Sequence, residues 1–180
     1  MKGVIFVEFL AAVEELYSYE MVDKILLDCD LASDGSYTSV GTYPHEDIIK
    51  LVTALSIRTK IEVPDLIFTF GKFLFSRLTG RHPEFIDTVE DTFSLVKTIE
   101  NHIHQEVLKL YPDAELPSID AYDINSTQLV VVYKSVRPFA GLALGLLTAS
   151  CDYFSENIQI SREDLEGPPG THAKFTLTHQ

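Results

Sequence analysis

The spacing of apolar residues changes at Pro117, and this change limits the folds open to the chain. Before Pro117, apolar residues recur every three or four positions, as in helices that bury one face. After it, short stretches rich in Val, Thr and Tyr are separated by turn-forming residues, as in an antiparallel sheet. The sequence therefore predicts an α+β fold: a helical amino-terminal half, then a small antiparallel sheet with helices packed on it.

The expected elements follow from the same periodicities. The last helix of the first half ends at Tyr111-Pro112, because proline cannot continue a helix. On the apolar helix of the second half, Gly141 and Gly145 would allow another backbone or a flat ligand to approach closely. Predicted helices cover residues 2–17, 20–29, 46–58, 65–77, 84–110 and 139–155. Predicted strands cover residues 119–122, 128–137, 157–160 and 174–178.

Length, charge and cysteine content restrict the class of protein. The chain has 180 residues, which fits one domain, and its net charge of −13 argues against nucleic acid or an anionic membrane surface as partner. No apolar run approaches the roughly 18 residues that cross a bilayer. Acidic residues within and after residues 2–13 favour a core helix over an export signal. The two cysteines lie far apart and fit a reducing compartment. We therefore expect a cytoplasmic protein.

Three polar side chains alternate along the predicted strand 128–137. Tyr133, Ser135 and Arg137 would share one face and span roughly 13 Å, at about 3.3 Å per residue. A phenol, a hydroxyl and a guanidinium in a row can donate to carboxylates or phosphates, with arginine forming a bidentate pair. Glu46-Asp47 is a further candidate partner for Arg137.

His104 lies near the end of the predicted helix 84–110. Its neighbour His102 points about 200° away around that helix, which disfavours a shared metal site. A single histidine of this kind is more often a packed or surface residue than a ligand. A neutral imidazole can nevertheless bind a metal. One imidazole together with an anion clamp meets the needs of a b-type haem, which has one axial position and two propionates.

The spacing of these residues resembles the H-NOX family, whose haem domains sense nitric oxide or oxygen. The pattern is His104-x12-Pro117-x15-Tyr133-x-Ser135-x-Arg137. Two further segments are similar to the family, residues 1–6 and residues 70–75. The resemblance covers nearly all of residues 1–180 and implies one domain, with a distal subdomain at about 1–62 and a proximal subdomain at about 63–180.

The resemblance assigns roles to these residues. His104 would be the proximal iron ligand of one non-covalent haem b, and Tyr133, Ser135 and Arg137 would hold the propionates. The absence of a CxxCH motif agrees with non-covalent attachment. Two rigid side chains would press on the macrocycle and distort it: Ile5 and Pro117.

The distal positions implied by the family are apolar in this chain. Oxygen-binding members carry a tyrosine five residues after the arginine, and this position is Leu142 here. Bound oxygen draws electron density from ferrous iron, so a hydrogen-bond donor stabilises it. We therefore expect binding of nitric oxide and carbon monoxide and discrimination against oxygen. The distal set is Phe9, Leu74, Leu142 and Leu146.

No nucleophile–base pair or phosphate-binding loop predicts turnover, so we expect a sensor and not an enzyme. In the family, nitric oxide weakens the iron–histidine bond, here Fe–His104, after which haem and subdomains relax. A stand-alone member would signal to a separate histidine kinase or cyclic-di-GMP enzyme. Three other interpretations remain open: an iron-free carboxylate-binding module using Tyr133, Ser135 and Arg137, a metal-dependent enzyme using His102 and His104, and a haem carrier.

Overall fold

The computed structural model describes residues 1–180 and confirms the α+β prediction. The helices are α1 (Gly3–Leu16), α2 (Tyr19–Leu27), α3 (His45–Thr59), α4 (Val63–Arg81), α5 (Thr92–Thr98), α6 (His104–Leu110) and α7 (Ala140–Tyr153). The strands are β1 (Ser118–Asn125), β2 (Gln128–Lys134), β3 (Ile158–Asp164) and β4 (His172–His179). None of the helices has the length and apolar character needed to cross a membrane.

The four strands form one antiparallel sheet in the order β1-β2-β4-β3. Strand β4 buries alternate residues, as expected from the two-residue period of a strand, whereas β2 buries Leu129, Val130 and Val131 in succession. Val131 of β2 lies opposite Phe175 of β4, and both are buried. Helix α7 contributes Ala140 and Leu147 to the same cluster, so it covers the apolar face of the sheet.

The helical half has its own core, and α4 joins it to the sheet. Leu66, Phe70 and Leu74 of α4 pack in the amino-terminal cluster with residues of α1 and α3. The most extensive helix–helix contact of the fold is nevertheless that of α4 with α7. The two backbones meet at Gly71 and Gly145, where a methyl group on either residue would overlap a carbonyl oxygen of the other helix. This confirms the expected close approach at Gly145.

The prediction of one continuous helix over residues 84–110 was wrong. Residues Pro83–Phe85 form a short 3-10 turn, and α5 begins only at Thr92. The cause is Asp91, whose side chain accepts a hydrogen bond from the Ser94 amide at 2.6 Å and caps the helix. Between α5 and α6 the helix widens into a π segment, Ile99–Ile103.

The predicted strand 128–137 was three residues too long. β2 ends at Lys134, and the Ser135 amide donates to the carbonyl of Thr171, outside the strand ladder. Pro138 has no amide hydrogen and cannot extend the pairing. Ser135 and Arg137 therefore lie on the turn that leads into α7.

Replacing Gly145 by alanine tests the α4–α7 crossing. The added methyl group would lie 2.9 Å from the Gly71 Cα and would force the helices apart, so we expect a loss of about 1–3 kcal/mol in the free energy of unfolding. Gly80→Ala is the matched control on α4, because no atom lies within 4 Å of its added methyl group. That variant should gain up to about 1 kcal/mol from helix propensity. Urea unfolding measures the free energy of unfolding of both variants. Equal free energies for Gly145→Ala and Gly80→Ala would contradict the role of the crossing.

Candidate functional site

His104 is the first residue of α6, directly after the π segment. Its side chain is 14% exposed, and its Nδ1 lies 3.1 Å from a carboxylate oxygen of Glu100. Burial lowers the pKa of His104 more than Glu100 raises it, so the imidazole is neutral at pH 7. A carboxylate accepts hydrogen bonds, which places the proton on Nδ1 and leaves the lone pair on Nε2. Nε2 is therefore the atom available to a metal.

The π segment determines which way α6 presents its side chains. One wider turn rotates the residues after it by about 100° relative to an unbroken α-helix. Phe93, Leu95 and Val96 of α5 are buried, whereas no residue of the π segment or of α6 is buried. Helix α6 also makes no extensive contact with α1, α4 or α7. The apolar side chains beside His104 are thus only partly covered by protein.

His102 lies on a different side of the helix, as predicted. It is exposed, and its ring meets Phe85 edge-on with centroids 6.3 Å apart. The structure contains no group of three or more His, Cys, Asp and Glu side chains arranged to hold a metal ion. The two histidine rings face different partners, His102 towards Phe85 and His104 towards Glu100.

Tyr133, Ser135 and Arg137 lie together at the end of β2, although not as a regular row on one strand. Ser135 Oγ accepts the Arg137 amide at 3.1 Å. Burial raises the pKa of Tyr133, while Ser135 and Arg137 beside it act in the opposite direction, and the burial effect is the larger. The Tyr133 hydroxyl consequently stays protonated at neutral pH and can donate.

The guanidinium of Arg137 is nearly buried and binds Glu115, which sequence reasoning missed. Nη1 donates to the Glu115 carbonyl at 2.7 Å, and Nη2 donates to its carboxylate. The hypothesis that Glu46 or Asp47 pairs with Arg137 was wrong. Asp47 instead accepts from the Ala32 amide at 3.2 Å and from Lys50 at 3.3 Å. The pair with Glu115 shows that the Arg137 guanidinium binds a carboxylate, and it anchors the chain two residues before the half-buried Pro117.

The expected distal residues meet in one apolar cluster formed by α1, α4 and α7. Phe9 and Leu74 are each 2% exposed, and Phe9 packs edge-on against Phe70 with centroids 5.3 Å apart. Half-buried side chains line the border of this cluster, namely Ile5, Leu142 and Leu146. Residues from three separate helices therefore lie in or beside one apolar cluster, and their distal role stays a prediction.

A polar cluster that the sequence did not indicate joins the amino terminus to the segment after α6. Lys2 Nζ donates to Asp113 at 3.1 Å and to Thr42 Oγ1 at 2.9 Å. Thr42 Oγ1 donates to Asp113 at 3.0 Å, and Lys2 also lies over the ring of Tyr111. We call Lys2, Thr42 and Asp113 the terminal clasp.

The two most prominent grooves lie elsewhere. One of about 600 Å³ lies between α4, α7 and residues 83–87, and one of about 420 Å³ lies beside β3 and α7. Neither is lined by any of the predicted site residues.

Comparison with known proteins identifies the family. The family model described as haem-NO-binding matches residues 2–162. The chain belongs to the H-NOX family. H-NOX domains are haem-binding modules without enzymatic activity. No match was found among curated proteins.

Solved H-NOX structures support the same conclusion over the whole chain. The Fe(II) unliganded H-NOX protein from K. algicida is 38% identical and has a TM-score of 0.92, with 100% of this chain and 97% of that chain covered. The S. oneidensis H-NOX protein in its Fe(II)NO state is 29% identical, with a TM-score of 0.91 and coverage of 100% and 99%. The Shewanella woodyi H-NOX in its Fe(II)CO state is 38% identical, with a TM-score of 0.84 and coverage of 100% and 95%.

Asp113→Asn tests the charge of the terminal clasp. Hydrogen bonds from Lys2 and Thr42 hold the pKa of Asp113 below its ordinary value of 3.8. Its contribution to stability is therefore present above that ordinary value and is lost as pH falls through the lowered pKa of the folded state. We expect a slightly lower Tm than wild type at pH 7 and no difference at the acid end of a pH series. Asp23→Asn, at an exposed position of α2 and without an ion pair, is the control. A Tm difference between Asp113→Asn and wild type that persists in acid would contradict a stabilising charge on Asp113.

Proposed function

We propose that this H-NOX domain is a ferrous haem sensor that binds nitric oxide and carbon monoxide and discriminates against oxygen. The observation that carries the proposal is His104: it is neutral, its Nδ1 is fixed by Glu100, and its Nε2 is free. A haem bound beside it supplies an iron atom to which diatomic gases attach. This choice of ligands is supported by the related H-NOX proteins of S. oneidensis and Shewanella woodyi, whose structures are in the Fe(II)NO and Fe(II)CO states.

The residues present fit one non-covalent haem b per chain. His104 Nε2 would be the iron ligand, and Tyr133, Ser135 and Arg137 would donate to the propionates. Arg137 already binds a carboxylate, that of Glu115, which is the chemistry that a propionate requires. The partly covered apolar residues of α6 would be buried by a flat apolar group, which is favourable in proportion to the area removed from water.

Two rigid residues would control the shape of the macrocycle. Ile5 on α1 borders the apolar cluster, and Pro117 precedes β1 on the segment anchored by Arg137. A β-branched side chain and a proline ring have few ways to move aside. We propose that both press on the haem and that the chain stores this distortion in its unliganded state.

The distal residues explain the selectivity. Phe9, Leu74, Leu142 and Leu146 carry no hydrogen-bond donor, so nothing in this set would stabilise the partial negative charge on bound oxygen. Nitric oxide and carbon monoxide depend less on such a donor. We therefore propose that discrimination against oxygen follows from the missing donor.

The signal would pass through His104. We propose that nitric oxide would weaken the bond between His104 and iron, and that α6 and the segment after it would then be free to move. The terminal clasp joins this segment to the start of α1, so the shift would change the relation between a distal subdomain (1–62) and a proximal subdomain (63–180). A partner that binds one arrangement more tightly would read the change. We propose a separate histidine kinase or cyclic-di-GMP enzyme as this partner, and the cytoplasm as the location.

His104→Ala and His102→Ala test the iron ligand as a matched pair. The first removes Nε2 and should abolish the five-coordinate ferrous spectrum, while the second removes an exposed ring and should leave it unchanged. Absorption spectra of the purified, reduced proteins provide the measurement. Equal effects of the two changes would contradict the proposal, and a colourless wild-type protein after haem reconstitution would favour an iron-free carboxylate binder.

Leu142→Tyr tests the distal assignment. The tyrosine hydroxyl would offer a donor to bound oxygen, so we expect a ferrous–oxygen complex that wild type does not form. Leu142→Phe has similar bulk without the hydroxyl and should behave like wild type. Spectra under argon and then under oxygen measure the difference, and oxygen binding by the phenylalanine variant would show that shape and not the hydroxyl decides.

A further inference from the structure

Glu100 makes two hydrogen bonds through a single carboxylate oxygen. Oε2 lies 3.1 Å from His104 Nδ1 and accepts the Ile119 amide at 3.0 Å. His104 begins α6, Ile119 belongs to β1, and Glu100 itself lies in the π segment. One oxygen therefore connects three elements of the fold at the proposed iron ligand.

The two bonds have different consequences. The Ile119 amide fixes the carboxylate at the start of β1, so Glu100 cannot simply rotate into solvent. The bond to Nδ1 fixes the orientation of the imidazole and gives the ring partial negative charge, which makes Nε2 a stronger donor to a metal. A carboxylate in this position exerts a larger effect than a neutral acceptor, because it stabilises a positive or proton-sharing ring.

Other acidic residues nearby do not perform this task. Glu106 of α6 pairs with Lys109 at 2.6 Å, and Asp123 of β1 pairs with Lys97 at 2.7 Å. Glu100 forms no ion pair with a lysine or an arginine, so its charge is not neutralised by a basic side chain. Its side chain is 45% exposed, which reduces the effect through solvent screening but does not remove it.

We propose that Glu100 is a positioning residue that strengthens the bond between His104 and iron and thereby sets how readily nitric oxide releases His104. This inference rests on the proposed function. The hydrogen bond from Glu100 holds His104 on the iron before a gas binds and also opposes the departure of His104. Glu100 therefore raises the threshold at which nitric oxide releases His104. In addition, movement of His104 must either break the bond to Glu100 or pull on Ile119, which gives β1 a direct link to the iron site.

Three variants test the inference. Glu100→Gln keeps an oxygen that can accept from both His104 and Ile119 but removes the charge. Glu100→Ala removes the acceptor altogether and leaves the Ile119 amide without its partner. Glu106→Gln removes one negative charge from α6, the helix that begins with His104, and leaves the contact with His104 Nδ1 intact. It is therefore the control for net charge.

Resonance Raman spectroscopy of the reduced, unliganded holoprotein measures the iron–histidine stretching frequency. We expect a shift to lower wavenumber in Glu100→Gln, a larger shift in Glu100→Ala and none in Glu106→Gln. After nitric oxide is added, the two Glu100 variants should convert a larger fraction of molecules to the five-coordinate nitrosyl form. We expect the haem affinity of Glu100→Ala to fall by about ten-fold. This is the lower end of the loss that follows removal of a hydrogen-bond partner from a metal-ligating histidine, because the Glu100 carboxylate is half exposed.

The outcomes separate the inference from the proposed function. Unchanged frequencies in both Glu100 variants would overturn the inference and leave Glu100 as a partner of the Ile119 amide alone, while the haem proposal would stand. An iron–histidine band absent from wild type would overturn the proposed function itself and the inference with it. If Glu100→Ala fails to fold, Glu100→Gln still decides, since its amide oxygen can still accept from both His104 and Ile119.

Discussion

The close crossing of α4 and α7 is the contact on which the rest of the structure depends. Gly71 and Gly145 allow the two backbones to touch, and any side chain at either position would separate them. Leu74 lies three residues after Gly71 and Leu142 three before Gly145, so both lie within one helical turn of the crossing. Because α4 belongs to the helical core and α7 covers the sheet, this contact fixes the distal side chains relative to the strand that carries Tyr133.

The sequence predicted the helices and strands well where periodicity alone determines them. It failed at residues 84–110, where a local hydrogen bond competes with a continuous helix. Apolar spacing does not reveal that Asp91 caps the helix, nor that residues 99–103 adopt the wider π turn. The π turn affects the candidate site, because it rotates α6 by about 100° and so changes the direction in which the His104 side chain projects. The position of His104 was predictable from the sequence, but its surroundings were not.

The polar contacts of the site show a second limit. Tyr133, Ser135 and Arg137 are close in sequence and were identified as a group. Their true arrangement depends on the end of β2, which Pro138 and the pairing of Ser135 with Thr171 determine. The partner of Arg137 is Glu115, and Lys2 pairs with Asp113 across more than a hundred residues. The spacing of apolar residues cannot predict such pairs, since they form only when the sheet and the helices are assembled.

These long-range contacts place His104 between two connections of different strength. On one side, Glu100 ties the imidazole to the β1 backbone, where the sheet is held by a regular ladder. On the other side, the segment after α6 is tied to α1 by the terminal clasp, whose Asp113 is exposed and whose charges are screened by salt. Inverting a two-state population from 1:99 to 99:1 takes about 5.5 kcal/mol, far more than an exposed ion pair supplies. The clasp is therefore too weak to lock the two halves together by itself. In the proposed mechanism, the larger change at His104 would determine which arrangement is populated.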